Sequence, residues 1–177
     1  MQVNFEEGKI RTRLVASNLV NMSLPKIMAT SLLPIFLEGE VVKGFGRGSK
    51  ELGCPTANYA EEVVKLLPKD LEPGVYYGWA QVDHGKVHKM VANIGWCPFY
   101  QNKQMSVETH VMHKFDRDFY GLNLKISLNG YLRGEKNFDS LDALIEAIKQ
   151  DIHNADVQLD QPESQTLKNH NFFTSTK

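Results

Sequence analysis

The 177-residue chain lacks the features that mark several large classes of protein. Its two cysteines, Cys54 and Cys97, are too few for a disulfide scaffold and are typical of a reducing compartment. No apolar run approaches the roughly 20 residues that span a bilayer, and no secretory leader pattern is visible. A formal net charge of −1 provides no general attraction to nucleic acid or to an anionic membrane. We therefore expect a soluble, cytoplasmic protein that binds neither.

Sequence motifs of the common catalytic sites are also missing. Lys50 follows Ser49 and precedes Glu51, so the Gly-Lys-Ser/Thr end of a Walker A loop is absent, and the fingerprint G-x-G-x-x-G fails in the same segment. Glu108 precedes His110, so H-E-x-x-H is absent, and no closely spaced cysteine and histidine pairs indicate zinc. A Ser-His-Asp triad has no G-x-S-x-G elbow to anchor it.

The chain does contain a glycine-rich, basic segment at residues 43–58, with the sequence K-G-F-G-R-G-S-K-E-L-G-C-P-T-A-N. Glycines let backbone N–H groups turn inward into an anion-binding concavity, and the cations attract phosphate at longer range. Thr56 and Asn58 offer the oxygen ligands that magnesium accepts. The segment indicates a nucleotide phosphate site with its metal, and a glycine-rich loop with solvated charges is the simpler alternative.

Hydrophobic periodicity predicts that the middle of the chain is mostly β-structure. Alternation of apolar and polar residues predicts strands at 35–42, 75–80, 87–94, 107–112 and 122–132. In the last strand, one face is predicted to carry Leu122, Leu124, Ile126, Leu128, Gly130 and Leu132. A short helix is predicted over 61–67, closed by Pro68. About six strands and one helix favour a closed or partly closed antiparallel barrel.

One long amphipathic helix is predicted after the last strand. Its apolar stripe follows the 3.6-residue period through Leu141, Leu144, Ile145, Ile148, Ile152, Ala155 and Leu159. Asp139 or Ser140 is expected to cap its first turn, and Asp142 adds favourable charge near the positive end of the helix dipole. The stripe predicts core packing and implies no cofactor.

The two ends of the chain differ from this body. Residues 1–32 are expected to form a poorly ordered extension. A mitochondrial presequence would be rich in arginine and poor in acids, so mitochondrial targeting is a weak alternative. At the other end, Phe172 and Phe173 are predicted to pin the chain back on the body, which leaves a tail of residues 174–177.

Two further places carry candidate chemistry. Glu108 lies on the polar face of its predicted strand, where a carboxylate can act as a general base if it reaches a substrate hydroxyl. An exposed polar residue without a chemical role is the alternative. Arg133, Lys136 and Phe138 lie where the last strand leads into the long helix, and such cations beside a helix N-terminus can hold a phosphate or orient a ligand. Here the alternative is a hydrophobic staple surrounded by ordinary surface charges.

Taken in order, these segments resemble the riboflavin kinase (flavokinase) family in its eukaryotic single-domain form. The resemblance covers about residues 33–173, which is the expected kinase domain. The motifs that carry it are G-F-G-R-G-S-K-E-L-G-C-P-T-A-N at 44–58, G-V-Y-Y-G-W-A at 74–80, N-I-G-W-C-P-F-Y at 93–100, S-V-E-T-H-V-M-H at 106–113, D-F-Y-G at 118–121 and G-Y-L-R-G-E-K-N-F-D-S-L at 130–141.

The resemblance implies a six-stranded antiparallel Greek-key barrel with a C-terminal helix. It also implies transfer of the γ-phosphoryl group of ATP to the 5′-hydroxyl of riboflavin, giving FMN and ADP. Glu108 would be the catalytic base, and the loop from Gly44 to Lys50 would cover the nucleotide phosphates. Thr56 and Asn58 would hold the divalent metal, for which magnesium is expected and zinc and manganese are alternatives.

The same resemblance assigns the remaining substrate contacts. Val111, His113 and Tyr120 match positions of the nucleotide pocket, which also includes Thr56. The flavin side matches at Arg133, Lys136 and Phe138. One departure is Gly134, which stands where the family commonly has proline and is expected to loosen the hinge before the helix.

Two rival functions are compatible with such a barrel. A binding module would retain flavin or nucleotide without turning it over, and the presence of Thr56, Asn58 and Glu108 argues against it. A small nucleic-acid-binding barrel would display aromatic residues for base stacking, but the basic stripe that such a protein needs is missing. We expect an active kinase that works as a monomer.

Overall fold

The computed structural model describes residues 32–44, 53–97 and 104–175. Within these ranges, six strands form one closed antiparallel barrel and helices pack on its outside. The strands are β1 Ile35–Val42, β2 Ala57–Tyr59, β3 Gly74–Val82, β4 Val87–Cys97, β5 Gln104–Val111 and β6 Asn123–Arg133. The helices are α1 Glu61–Val64, α2 Leu141–Leu159, α3 Pro162–Lys168 and α4 Asn171–Thr174.

The order of the strands around the barrel is β1-β2-β5-β4-β3-β6, with β6 closing onto β1. The pairs β2–β5 and β1–β6 join strands that are distant in sequence, as a Greek-key topology requires. The predicted six-stranded barrel with its C-terminal helix is therefore confirmed. The short strand β2 was not predicted as a strand, because three residues are too few to show an alternation.

Alternate residues of the strands fill the barrel with apolar side chains. Val107 and Val111 of β5 and Ala57 and Tyr59 of β2 belong to this core, so Asn58, Glu108 and His110 face outward. The largest buried aliphatic and aromatic side chains of the core include Tyr76, Met90, Ile94, Leu124, Ile126 and Leu128. Each fully buried side chain of this kind contributes about 1.5–3 kcal/mol by its removal from water.

Strand β6 departs from a simple alternation. Its pairing with β3 shifts register twice, once on each side of the Tyr76 and Tyr77 pairs. As a result Tyr131 packs on the barrel core, whereas Leu132 packs on the outer cluster beneath the helices. The prediction that Leu132 shares a face with Leu128 is therefore wrong, because a β-bulge re-aims the side chains that follow it.

The long helix α2 begins and ends where its pattern predicts. Ser140 is its N-cap, and the Oγ of Ser140 accepts a hydrogen bond from the Ala143 N–H at 3.1 Å. Ala155 and Leu159 are fully buried against the outer face of the barrel. Leu141, which was predicted to share the buried stripe, is 59% exposed because the fully buried part of α2 is its C-terminal half.

Two shorter segments also refine the predictions. Helix α1 ends at Val64 instead of Leu67, because Leu66 and Leu67 donate to carbonyls three residues back and so tighten the last turn. At the C-terminus, Phe173 is 4% exposed, as the predicted pinning requires. The predicted extension at residues 1–32 lies almost entirely outside the described residues and stays a prediction.

Candidate active site

A row of three polar residues crosses the outer face of the barrel. Glu108 on β5 pairs with Asn58 on β2 and with Asn93 on β4. Residues directly opposite each other in antiparallel strands have Cβ atoms about 4.5–5.5 Å apart, so the Glu108 carboxyl group has an amide neighbour on each side. Glu108 is half-buried and Asn58 is 7% exposed. The row is accordingly a partly buried polar site on the outer face of the sheet.

The glycine-rich segment begins directly against this row. A Cβ on Gly44 would collide with the Asn58 side-chain amide, so only glycine allows the chain to leave β1 at this height. The segment returns at Gly53, which has a φ of +76°, and Thr56 follows immediately before β2. The predicted phosphate-site residue Lys50 lies outside the described residues.

His110 fixes the returning segment to β5. Its Nδ1 lies 3.0 Å from the carbonyl oxygen of Pro55, and because a carbonyl only accepts, that ring nitrogen donates. This bond places Thr56 beside the strand that carries Glu108, two residues before His110. Among the described residues, no group of three or more His, Cys, Asp or Glu side chains is arranged to hold a metal ion. The hydrogen bond to Pro55 gives His110 a structural role.

The strand directions place the predicted residues at two opposite ends of the barrel. The C-terminus of β1 and the N-terminus of β2 lie at the same end as the C-terminus of β5, and we call this the glycine end. It includes Gly44, Thr56, His113 and Tyr120. The C-terminus of β6 lies at the other end with the segment that leads into α2, and we call this the helix end. Glu108 lies between the two ends, three residues before the end of β5.

An aromatic cluster occupies the glycine end. The ring of His113 stacks on that of His88 with centroids 4.0 Å apart and planes 17° from parallel. Phe115 presents its ring edge-on to His113 at 4.9 Å, and Phe119 packs on Phe115 at 4.8 Å. Sequence reasoning missed His88, because its contact with His113 depends on the register of β4 against β5.

The three residues predicted at the nucleotide pocket differ in exposure. Tyr120 is 47% exposed and His113 is exposed, so both rings are open to a ligand. Val111 is 5% exposed, and its side chain packs in the barrel core. Val111 is therefore suited to shaping the end of the barrel, whereas the two exposed rings are suited to direct contact.

Arg133 anchors the helix end through a partly buried ion pair. Its Nε donates to Asp151 Oδ1 at 2.8 Å and its Nη2 to Asp151 Oδ2 at 2.6 Å. Its Nη1 donates to the Gly134 carbonyl oxygen at 2.9 Å, and its guanidinium carbon lies 5.8 Å from the centroid of the Phe138 ring. The Arg133 side chain is 20% exposed and that of Asp151 8%. Arg133 thus joins β6, α2 and the segment between them.

Gly134 is held more firmly than its conformational freedom suggests. The bond from Arg133 fixes its carbonyl oxygen, and a Cβ at Gly134 would approach the Tyr131 hydroxyl at 3.4 Å. The Tyr131 hydroxyl donates to Glu72 at 3.0 Å. Burial, followed by this bond to Glu72, raises the pKa of Tyr131 to about 12, so its hydroxyl keeps its proton at neutral pH.

Glu135 is a second carboxylate that sequence reasoning did not select. A Cβ on Gly95 would overlap the Glu135 Oε1 atom, so the carboxyl group lies directly on the backbone of β4. Gly95 is two residues beyond Asn93 on that strand and therefore shares its outward face. Lys136, which was predicted on the flavin side, is exposed in the same segment, and its role stays a prediction.

The chain is similar to known proteins of one family. A protein-family model described as flavokinase, riboflavin kinase, matches residues 32–159. A riboflavin kinase of Mus musculus is 58% identical over 145 residues, which cover 82% of this chain and 94% of that protein. A riboflavin kinase of Homo sapiens is 57% identical over the same length, with the same shares covered.

The fold has a match among solved structures as well. A crystal structure of riboflavin kinase from Trypanosoma brucei matches with a TM-score of 0.68 and 32% identity. The match covers 83% of this chain and 93% of that one. Among the residues that the structure describes here, no helix is long and apolar enough to cross a membrane.

Proposed function

The chain belongs to the riboflavin kinase family, and we propose that it transfers the γ-phosphoryl group of ATP to the 5′-hydroxyl of riboflavin, with FMN and ADP as products. The relatives that cover most of its length are named riboflavin kinases, which supports the choice of substrates. The observation that carries the mechanism is the row of Asn58, Glu108 and Asn93 between the two ends of the barrel.

Glu108 acts as the general base in this proposal. It accepts the proton of the ribityl 5′-hydroxyl as that oxygen attacks the γ-phosphorus, while the bond between the γ-phosphorus and its bridging oxygen breaks and ADP leaves. Phosphoryl transfer passes through a loose transition state, so the protein contributes mainly positioning and charge stabilisation. The half-buried position of this carboxylate between the two ends of the barrel supports the role.

The nucleotide binds at the glycine end. Gly44 brings the start of the glycine-rich segment against Asn58, and the loop from Gly44 to Lys50 supplies backbone N–H groups and charge to the phosphates. The exposed rings of His113 and Tyr120 are available to a planar base. Val111 shapes the barrel beneath them from its core position.

Thr56 and Asn58 would hold the divalent metal. Their neutral oxygen donors fit magnesium, which keeps several waters and takes phosphate oxygens beside a few protein ligands. The absence of a Cβ on Gly44 makes room for the Asn58 amide, which packs against the backbone there. When bound, the metal would neutralise charge on the phosphates, and zinc or manganese are alternatives with the same ligands.

Riboflavin binds at the helix end, where Phe138 and Lys136 line its side of the site. Every nitrogen of the Arg133 guanidinium already donates a hydrogen bond within the protein. Arg133 is therefore best placed to hold the Gly134 carbonyl and the Phe138 ring in position for the flavin, with its charge directed to Asp151. This role is one of positioning, and it replaces direct flavin contact as our expectation for Arg133.

A direct test combines purified protein with riboflavin, ATP and magnesium and separates the flavins by chromatography. We expect FMN to accumulate with time only when the metal is present. Asn58→Ala should shift the magnesium titration to higher concentration, whereas Asn154→Ala, on the exposed surface of α2, should not. An unchanged titration for Asn58→Ala would remove that residue from the metal site.

The rival function is a barrel that binds flavin without phosphorylating it. Quenching of riboflavin fluorescence by the protein, with no FMN formed in magnesium, zinc or manganese, would favour that function over the kinase. Loss of FMN formation together with loss of flavin binding would instead point to a protein that is not correctly folded, which circular dichroism would reveal.

A further inference from the structure

The stacked imidazoles at the glycine end include a residue to which the proposed chemistry gives no task. His88 is half-buried at the start of β4 and pairs with Ala80, whose side chain lies in the barrel core. Its ring lies parallel to that of His113 at 4.0 Å. Phe115 lies at 6.0 Å from His88 and 4.9 Å from His113, edge-on to both. The His113 ring is thereby held between the parallel face of His88 and the perpendicular edge of Phe115.

We propose that His88 is a positioning residue for the nucleotide, because its ring fixes the orientation in which His113 meets the base. The inference rests on the proposed function, in which His113 belongs to the nucleotide site. One face of His113 is covered by His88, and the residue is still exposed, so the opposite face is available to a purine. A base bound there would extend an existing stack of two rings, and an ordered ring loses less conformational entropy on binding.

The surroundings of His88 favour its uncharged form. Burial, then the nearby groups His113, Lys168 of α3 and Lys86 of the β3–β4 turn, lower the pKa of His88 from its ordinary value of 6.5. These neighbours are all cationic when protonated, so a proton on His88 adds repulsion inside the cluster. His88 is uncharged above pH 6.5 and becomes protonated as the pH falls through its lowered pKa, which weakens the stack. Nucleotide affinity should therefore decline in acid.

The test compares His88→Ala, His88→Phe and, as a matched control, His153→Ala on the exposed surface of α2. For each variant the KM values for ATP and riboflavin and the kcat are measured from pH 5.5 to 8.5. His88→Ala should raise the KM for ATP about three- to tenfold, the equivalent of one lost aromatic pair, and leave the KM for riboflavin within twofold. His153→Ala should change neither.

His88→Phe separates ring packing from charge. It keeps an aromatic face beneath His113, so it should restore the KM for ATP at neutral pH and flatten its rise in acid. A rise in both KM values, or a lower melting temperature of His88→Ala with an unchanged KM for ATP, would overturn the proposal in favour of a purely structural cap. So would a His88→Phe variant that keeps the wild-type dependence on pH.

Nucleotide binding alone provides a readout that does not depend on catalysis. Calorimetric titration with ADP and magnesium should show weaker binding to His88→Ala than to the wild-type protein. In a His113→Ala background the further change His88→Ala should have no effect, since His88 acts through His113. Equal ADP affinity of the wild-type protein and His88→Ala would overturn the proposal. An absence of FMN formation with intact ADP binding would contradict the kinase reaction only.

Discussion

The two ends of the barrel are organised by different kinds of contact. At the glycine end, backbone packs directly on the Asn58 amide, and four aromatic rings pack on one another by one stacked and two edge-on contacts. At the helix end, a bidentate ion pair between Arg133 and Asp151 ties β6 to α2 and also holds the Gly134 carbonyl oxygen. Between them, the row through Glu108 belongs to the sheet itself.

The difference suits the two substrates that we assign to these ends. A polyphosphate with its metal carries its own charge, and backbone N–H groups and neutral side-chain oxygens are suited to bind it. A flavin is large, planar and uncharged, and a rigid frame that presents Phe138 suits it better. Changes at one end should therefore affect one substrate, and only changes in the central row should affect both.

The largest expected effect comes from Glu108, in the row that lies between the two ends of the barrel. Glu108→Gln keeps the shape of the side chain but removes its ability to accept the proton, so kcat should fall by about 10²- to 10⁴-fold. Binding of riboflavin and of ADP with magnesium should stay near the wild-type values, as measured by fluorescence quenching and calorimetry. Glu62→Gln on the exposed surface of α1 is the matched control. Near-normal turnover of Glu108→Gln would exclude Glu108 as the base.

A smaller but still substantial effect is expected at the helix end. Asp151→Ala leaves the partly buried Arg133 without its carboxylate partner, which should cost about 3 kcal/mol of folding free energy. The melting temperature should then fall by about 6–12 °C. In the protein that remains folded, the KM for riboflavin should rise while the KM for ATP stays unchanged.

A double variant separates stability from positioning at that end. Asp151→Leu with Arg133→Met replaces the ion pair by apolar side chains and should recover most of the lost stability. It should not recover the KM for riboflavin, since the Gly134 carbonyl and the Phe138 ring would still lack their contacts with the Arg133 guanidinium. Full recovery of both quantities would show that Arg133 serves only the fold.

A pair of glycine substitutions sharpens the contrast between the two ends. Gly44→Ala forces a methyl group into the Asn58 amide, so about tenfold more magnesium should be needed for half-maximal activity. Gly134→Ala meets only the Tyr131 hydroxyl at ordinary contact distance and should leave both KM values and stability nearly unchanged. Magnesium titrations of the two variants side by side would reveal this difference. Equal titrations would contradict it.

The smallest effect is expected outside the barrel. Removal of residues 1–31 should leave kcat and both KM values within about twofold, because the matched family domain begins at residue 32. Steady-state assays of the truncated and full-length proteins under the same conditions would measure this. An inactive truncation that still shows the β-rich circular dichroism of the full-length protein would mean that the extension contributes to the working site.

Most of the fold could be predicted from local patterns. Strand β1 and helix α2 have the predicted bounds within a residue, since alternation and a 3.6-residue stripe are properties of a short window. The β-bulge in β6 could not be predicted, because it depends on which strand lies beside it. The same limit explains the short strand β2, which is a strand only because β1 and β5 flank it.

The site was predictable residue by residue but not as an arrangement. The resemblance of motifs selected Thr56, Asn58 and Glu108, and their roles remain predictions. Asn93 begins one of the quoted motifs but was given no role, and His88 lies in none of them. Both joined the site only through the pairing of β4 with β5, and the register of that pairing cannot be read from the sequence. Asp151 was missed for another reason. It is a polar residue on α2, and the apolar stripe of that helix indicated only core packing.

The most direct test of the whole account is a crystal structure with riboflavin, magnesium and a non-hydrolysable ATP analogue. The account predicts the nucleotide at the glycine end, the flavin at the helix end, and the ribityl 5′-hydroxyl within hydrogen-bonding distance of the Glu108 carboxylate and in line with the γ-phosphorus. A 5′-hydroxyl that contacts another side chain, or two ligands bound at the same end, would contradict it.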